Sequence, residues 1–173
     1  MAIEYFSNFP DILYRNQVAK NILLRAALRE VTRKTTSVLL PLTLEFGERP
    51  DMIAHDLYKN SSYDWLVKFG ANTIDPYFDW PLTDENLNKF VEKKYGSIPT
   101  AQSTIIHYEH NTEDIKINKD TYDLLSVGDK ASYTAVYAYD YLVAQNEAKL
   151  ISTLISPDFA SVIDRELEKK LNE

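Results

Sequence analysis

The chain has 173 residues, no cysteine and a formal net charge of -7, and 45% of its residues are hydrophobic. This size and composition suit one ordinary globular domain or a small domain with appendages, and the lack of cysteine excludes disulfide scaffolds and thiolate zinc sites. The acidic balance argues against a nucleic-acid partner, and the short apolar runs and the first residues predict neither a membrane span nor a signal peptide.

The first fifteen residues are interpreted as an extended aromatic arm. Tyr5, Phe6 and Phe9 precede Pro10, which biases the residue before it towards an extended conformation. So many rings on a terminal arm need a surface to cover. That surface could belong to this chain or to a partner, and the sequence leaves both possibilities open.

Residues 16–33 are predicted to form a helix with one apolar stripe, made by Leu24, Ala27, Leu28 and Val31. The arginines on another face, Arg25, Arg29 and Arg33, recur every four residues. Such a face is usually solvated, and the alternative is contact with an acidic surface on a partner protein.

Residues 35–45 alternate as a strand does, and Pro41 predicts an edge position or a late start of the strand. Three helices follow, one after Pro50, one carrying Trp65 and one capped by Thr83. The side chains predicted to form the core of this part are Leu44, Ile53, Ala54, Leu57, Trp65, Leu66 and Phe69.

After Pro99 the pattern changes to strands at 104–108, 114–117 and 132–139, followed by a last helix that begins at Pro157. Four tyrosines at even offsets are predicted to share one strand face, as a wall of the core or an interface stripe: Tyr133, Tyr137, Tyr139 and Tyr141. In the last helix, Phe159 and Ile163 are predicted to contact partners.

No residues suggest a reaction centre. The three histidines, His55, His107 and His110, lack the spacing of a metal site. Three carboxylates near Trp80 (Asp75, Asp79 and Asp84) could suggest a glycosidase pair or a calcium loop, but each also has an ordinary role in a turn or a helix start. We therefore predict no catalytic, cofactor-binding or metal site, and no enzymatic activity.

Residues 42–74 resemble a LysM module. The matching features are the Leu42–Leu44 strand, the Gly47-Glu48 turn, Ile53-Ala54 on a first helix, Trp65-Leu66 on a second, and Asn72 after it. This resemblance implies a βααβ fold, with two helices on one face of a two-stranded antiparallel sheet.

A wider set of motifs covers roughly residues 1–96. In chain order the motifs are Tyr5-Phe6 with Pro10 and Tyr14, Asn21-Ile22 with Arg25, Gly47-Glu48-Arg49-Pro50-Asp51, Tyr63-Asp64-Trp65, Asn72, Asp75-Pro76, Trp80-Pro81-Leu82 and Lys94-Tyr95-Gly96. This pattern resembles the baseplate wedge protein fifty-three family of contractile-tailed bacteriophages. The C-terminal part is similar to that family only in general layout.

The two resemblances imply an α+β fold in three segments: an N-terminal arm and helix (1–37), a LysM-like domain (38–98), and C-terminal strands with a terminal helix (99–173). The family resemblance implies a structural protein of the virion tail baseplate, assembled in the host cytoplasm in six copies. It would join neighbouring wedges and link them to the hub and the sheath-initiating ring, with no nucleic acid, membrane or cofactor.

The predicted protein contacts are Tyr5, Phe6, Phe9, Arg25, Arg29, Arg33, Phe159 and Ile163. The main alternative function is a LysM-type protein that binds N-acetylglucosamine in peptidoglycan or chitin. A glycoside hydrolase using Asp75 and Asp79 is a third, weaker hypothesis.

Overall fold

The computed structural model describes residues 5–24, 37–75 and 77–172. The strands are β1 (Asp11–Tyr14), β2 (Gln17–Lys20), β3 (Leu39–Thr43), β4 (Ile105–His110), β5 (Lys116–Ile117), β6 (Tyr133–Tyr137) and β7 (Ile151–Ile155). The helices are α1 (Pro50–Tyr58), α2 (Asp64–Gly70), α3 (Asp84–Tyr95), α4 (Ile98–Ser103), α5 (Lys119–Asp123), α6 (Val127–Lys130), α7 (Ala138–Ala148) and α8 (Pro157–Asn172), and two short 3-10 helices span Tyr5–Asn8 and Ser61–Tyr63. The predicted α+β class is confirmed, and every strand pair in the described ranges is antiparallel.

The chain divides into two compact units with different boundaries from the three predicted segments. The first unit comprises residues 1–80 and 150–173, and the second comprises residues 81–149. The physical reason is that β7 and α8, at the end of the sequence, pack in the first unit. The second unit is therefore an insertion between α2 and β7.

The first unit is organised around the antiparallel pair β3–β7, whose register runs from Leu39 opposite Ile155 to Thr43 opposite Ile151. Helices α1 and α2 pack against this pair through a cluster of buried side chains: Leu44, Ile53, Ala54, Val67 and Leu154. Strand, helix, helix and antiparallel strand thus occur in the order expected of a LysM-like module. The second strand, however, comes from 151–155 and not from within the predicted range 38–98.

Most of the predicted core of this unit is confirmed. Leu44, Ile53, Ala54, Trp65 and Leu66 are buried, and the other two, Leu57 and Phe69, are partly buried against the same clusters. The core therefore follows the helical apolar spacing that the sequence shows.

The end of α2 is closely packed against a strand. Asn72 has a φ of 57°, in the left-handed region that asparagine tolerates, and the Thr73 amide donates to the Lys68 carbonyl at 2.9 Å. Gly70 has a different role, because a Cβ placed there would lie 2.8 Å from both the Ile155 nitrogen and the Leu154 Cα. Gly70 thus lets the helix approach the backbone of β7.

The predicted helix over 16–33 is wrong where the structure describes it, since residues 17–20 form strand β2. The remainder of that prediction, from residue 25, lies outside the described residues. The arm is not uniformly extended either: Tyr5–Asn8 is a 3-10 helix, and Asp11–Tyr14 pairs with β2 in a hairpin.

The second unit contains a three-stranded sheet in the order β5-β4-β6, together with five helices among its described residues. A buried cluster joins α3, α4 and α7: Leu87, Val91, Ala101, Ala138 and Leu142. The predicted tyrosine stripe is wrong, because β6 ends at Tyr137 and helix α7 begins at Ala138. Tyr139 and Tyr141 are therefore helical and do not continue a strand face.

A buried amide fastens the two ends of the second unit. The Asn146 side chain, only 2% exposed, accepts from the Leu82 amide through Oδ1 and donates to the Leu82 carbonyl through Nδ2, both at 2.8 Å. One side chain thus satisfies both backbone groups of a residue at the start of the unit.

Replacing Gly70 with alanine is expected to lower the free energy of unfolding by about 1–3 kcal/mol, because the new methyl group meets backbone atoms that cannot rotate away. The matched control is Gly128→Ala in α6, where the nearest atom to a Cβ is Ser126 Oγ at 3.9 Å. That control should be neutral or stabilising by up to about 1 kcal/mol. Urea unfolding measures both, and equal effects would contradict the close-approach role.

Replacing Asn146 with alanine should cost about 2–4 kcal/mol, since it leaves the N–H and C=O of Leu82 without their partner. The neighbouring variant Gln145→Ala, at an exposed position whose amide donates to the Tyr141 hydroxyl, should cost less than about 1 kcal/mol. Thermal unfolding compares the two. Similar melting temperatures for both variants would show that the Leu82 pairing is unimportant.

Candidate interaction surfaces

The predicted contact residues of the N-terminal arm pack mainly on their own unit. The Tyr5 ring lies 5.4 Å from Trp65 and 5.0 Å from Phe9, measured between ring centroids. Phe9 is 2% exposed, so its side chain offers no surface to a partner in this conformation. Phe6, at 55% exposed, keeps an accessible face. Tyr5 and Phe9 thus pack on this chain, whereas Phe6 and the residues of β1 remain exposed.

The predicted contacts on the last helix are also partly covered. Phe159 and Ile163 pack, half-buried, against the cluster that contains Trp65, Leu66 and Ile155. Helix α8 thus directs these two side chains towards the core of its own unit. The predicted contacts Arg25, Arg29 and Arg33 lie outside the described residues.

The β1–β2 hairpin is an exposed apolar surface that the sequence analysis missed. Leu13 and Val18 face each other across the two strands, and each is 74% exposed. All eight residues of the two strands are exposed. At the turn, Arg15 and Asn16 have φ values of 50° and 62°, as the central residues of a two-residue type I′ turn do. The available signal was the polar stretch that contains Asn16, which separates two short apolar runs, Ile12-Leu13-Tyr14 and Val18-Ala19.

Local charge contacts support the hairpin without covering its apolar side chains. The Lys20 ammonium lies 2.9 Å from the Asp11 carboxylate, at the open end of the ladder where these residues pair. The Arg15 guanidinium lies 5.3 Å from the centroid of the Tyr14 ring. An exposed ion pair contributes little stability, so the hairpin remains a weakly supported two-stranded element.

The carboxylates that suggested a glycosidase or calcium loop have structural partners. Asp79 accepts from the amides of Ile74 and Asp75 at 2.9 and 2.8 Å, and Asp75 accepts from the Tyr77 amide at 2.9 Å. Asp84 lies in the first turn of α3, where a negative charge is favourable. Asp75 and Asp79 therefore stabilise the loop, and Asp84 stabilises the start of a helix.

The histidines are likewise placed in ordinary local contacts. His107 Nε2 lies 2.9 Å from Glu109 Oε1, and His110 Nδ1 accepts from the Glu113 amide at 3.2 Å. Among the described residues, no group of three or more His, Asp or Glu side chains could hold a metal ion. Within the same described ranges, every helix is too short or too polar to cross a membrane.

Two motifs quoted for the wedge-family resemblance meet in space. Arg49 and Asp51 form a bidentate pair at the start of α1, with both N–O distances at 2.9 Å. The Trp80 indole nitrogen donates to the carbonyl of Glu48 at 2.8 Å, next to Gly47 with its φ of 88°. The Gly-Glu-Arg-Pro-Asp turn and Trp80 therefore stabilise each other, and Arg49 and Asp51 pair locally at the start of α1.

A partly desolvated carboxyl lies where α8 packs on the first unit. The Tyr63 hydroxyl donates to Asp164 Oδ2 at 3.4 Å, while Asp164 Oδ1 is buried and has no hydrogen-bond partner among the described residues. Burial raises the pKa of the Asp164 carboxyl, the nearby Glu168 charge adds to that rise, and the Tyr63 hydrogen bond opposes it.

Asp164→Asn is expected to stabilise the protein at pH 7 by on the order of 1 kcal/mol, because it removes a charge that is disfavoured at this site. The pKa of the Asp164 carboxyl is higher in the folded state than in the unfolded state, where it is about 4. This group therefore stabilises the folded protein below pH 4, and the stabilisation is lost as the pH rises through the folded-state pKa. The advantage of the variant should therefore shrink towards pH 4. Glu166→Gln, at an exposed position on the same helix, is the control, and a less stable Asp164→Asn at pH 7 would contradict this account.

Comparison with known proteins identifies the family of this chain. The sequence profile of the family described as Base plate wedge protein 53 matches residues 35–149, well over half of the chain. The match includes the Gly47–Asp51 turn, Trp80 and the whole of the second unit, and it begins after the N-terminal hairpin. No curated protein matches the chain. The chain therefore belongs to the Base plate wedge protein 53 family and is a structural protein of a bacteriophage tail baseplate.

Proposed function

We propose that this protein is an adaptor in the baseplate wedge of a contractile tail. It joins neighbouring wedges and links them to the hub and to the sheath-initiating ring, and six copies match the sixfold symmetry expected of such a baseplate. The family match over residues 35–149 carries the proposal, since it assigns the chain to a structural baseplate family.

The exposed hairpin supports a function in protein assembly. An isolated two-stranded hairpin is marginally stable in water, and contiguous exposed apolar side chains mark interaction sites. Leu13 and Val18 form such a pair, and Ile22 and Leu23, which follow β2 in the sequence, are also exposed. A partner protein that covered these side chains would bury apolar area and stabilise both the hairpin and the contact.

The alternative of N-acetylglucosamine binding rests on the LysM-like order of β3, α1, α2 and β7. That order concerns the fold, and a fold alone does not assign a ligand. Protein partners are preferred because the baseplate is an assembly of proteins, and because the exposed hairpin surface is apolar.

The double variant Leu13→Ser, Val18→Ser should leave the protein folded and prevent wedges from joining into complete baseplates. The reason is that both side chains contribute to the exposed face and neither is part of a buried cluster. The measurement is electron microscopy of tails from cells in which only the variant supplies this protein. These point changes are cleaner than deleting residues 1–14, which would also remove the rings packed on Trp65.

Gln17→Ser, at an exposed polar position in the same hairpin, is the matched control and should support normal baseplates. Unchanged circular dichroism and melting temperature establish that the double variant is folded. Complete baseplates at normal yield from the double variant would overturn the proposed role of the hairpin.

A further inference from the structure

Strand β6 forms one edge of the sheet in the second unit, where the strand order is β5-β4-β6. Two hydrogen bonds near the end of β4 fix which main-chain groups of each strand face each other. The Asn111 amide donates to the Ser132 carbonyl, just before β6, at 2.9 Å. The His110 amide, one residue earlier, donates to the Ile115 carbonyl on the β5 side, also at 2.9 Å. Successive residues of β4 thus bond to opposite neighbours, as in a regular antiparallel sheet.

The same alternation gives β6 a row of main-chain groups that point away from the sheet. Thr134 and Val136 direct their N–H and C=O groups towards β4, and Tyr133 and Ala135 direct theirs outward. Tyr133 and Ala135 are only partly buried, and their outward groups make no hydrogen bond to any residue in the described ranges. The free edge of β6 therefore offers donors and acceptors at the spacing of alternate strand residues.

The other strands that border a sheet in the described ranges carry features that oppose the addition of a further strand. Pro41 lies in β3, β5 has only two residues, and the β1–β2 pair carries Asp11 and Lys20. Helix α2 approaches the backbone of β7 through Gly70. Native proteins protect edges with prolines, charges, short strands and covering helices. Strand β6, with the sequence Tyr-Thr-Ala-Val-Tyr, has no proline and no charge, and its residues favour strands.

We propose that β6 accepts a strand from a partner protein of the baseplate, which extends the sheet beyond its free edge. The outward groups of Tyr133 and Ala135 pair with the main chain of that strand, because an extended polypeptide supplies donors and acceptors at the matching spacing. A sugar chain has no such row of amides and carbonyls. The inference rests on the proposed adaptor function and adds a second contact surface, within the residues that the family profile matches.

A second copy of this chain is the competing occupant, since two β6 edges could pair with each other. Exposed carboxylates flank the strand in the sequence, Asp129 before it and Asp140 after it. The nearest cation in the sequence, Lys130, donates to the Asp123 carbonyl at 3.1 Å. Antiparallel pairing of two β6 strands would bring Asp129 of one copy towards Asp140 of the other, and like charges disfavour such a contact. A partner strand with basic residues at its ends has the favourable charge.

The test compares amide hydrogen exchange in the purified protein with exchange in assembled tails, read at single residues by mass spectrometry. In the purified protein, the Tyr133 and Ala135 amides should exchange fast and the Thr134 and Val136 amides slowly. In tails, exchange at Tyr133 and Ala135 should slow by at least about tenfold. Unchanged exchange at these two amides, in tails that contain the protein, would overturn the strand proposal and leave the adaptor function intact. Tails assembled without the protein would contradict the adaptor function, and the strand proposal with it.

Ala135→Pro removes one outward N–H, and an edge strand tolerates proline where the amide faces outward. This variant should lower the yield of complete baseplates about tenfold. The matched control, Ala135→Ser, keeps the amide and should assemble normally. Slow exchange at Thr134 and Val136 establishes that the proline variant keeps its β4–β6 pairing, and if that pairing is lost, the exchange comparison on the unaltered protein decides.

Three results would overturn the proposal: a normal baseplate yield from a folded Ala135→Pro variant, an equal loss in Ala135→Ser, or a dimer of the purified protein in which the Tyr133 and Ala135 amides are protected. The last result would assign the edge to a second copy of this chain.

Discussion

Strands β3 and β7 come from distant parts of the sequence and are joined by five residue pairs, from Leu39 opposite Ile155 to Thr43 opposite Ile151. Closing so long a loop costs conformational entropy, so the pairing must be stabilised by what packs on it. Leu154 and Ile155 are fully buried, and the Tyr58 hydroxyl donates to the Ile155 carbonyl at 2.7 Å. Burial also raises the pKa of Tyr58, so its hydroxyl remains a hydrogen-bond donor throughout the physiological range.

The sequence predicted well those elements whose stability is local. Helix α1 begins at Pro50 and α3 follows a Thr83 cap, as their residue types indicate. The sequence did not predict the long-range features. Strand β7 has no pattern of its own that specifies β3 as its partner. The need for glycine at position 70 arises only when β7 is in place beside α2. Asn146 is a similar case, because its role depends on a backbone segment 64 residues away.

The aromatic residues show why composition alone could not assign the candidate site. A high tyrosine content is compatible with an interface or with a core, because the ring is apolar and the hydroxyl is polar. Here Tyr108 and Tyr122 stack with centroids 3.7 Å apart, and Tyr5 and Tyr63 pack around Trp65, so several rings stabilise the chain itself. The sequence analysis did not predict the apolar hairpin, which contains one tyrosine. Its strands are short, and the apolar residues that follow have the spacing of a helix.

The insertion of residues 81–149 into the first unit has a consequence for the order in which the protein is made. Every segment of the inserted unit is contiguous, so its contacts can be completed once Lys149 has left the ribosome. The first unit forms later, because β3, α1 and α2 lack β7 and α8 until residues 150–173 are synthesised. During translation the inserted unit can therefore be complete while the first unit still lacks part of its core, and residues 150–173 complete that core.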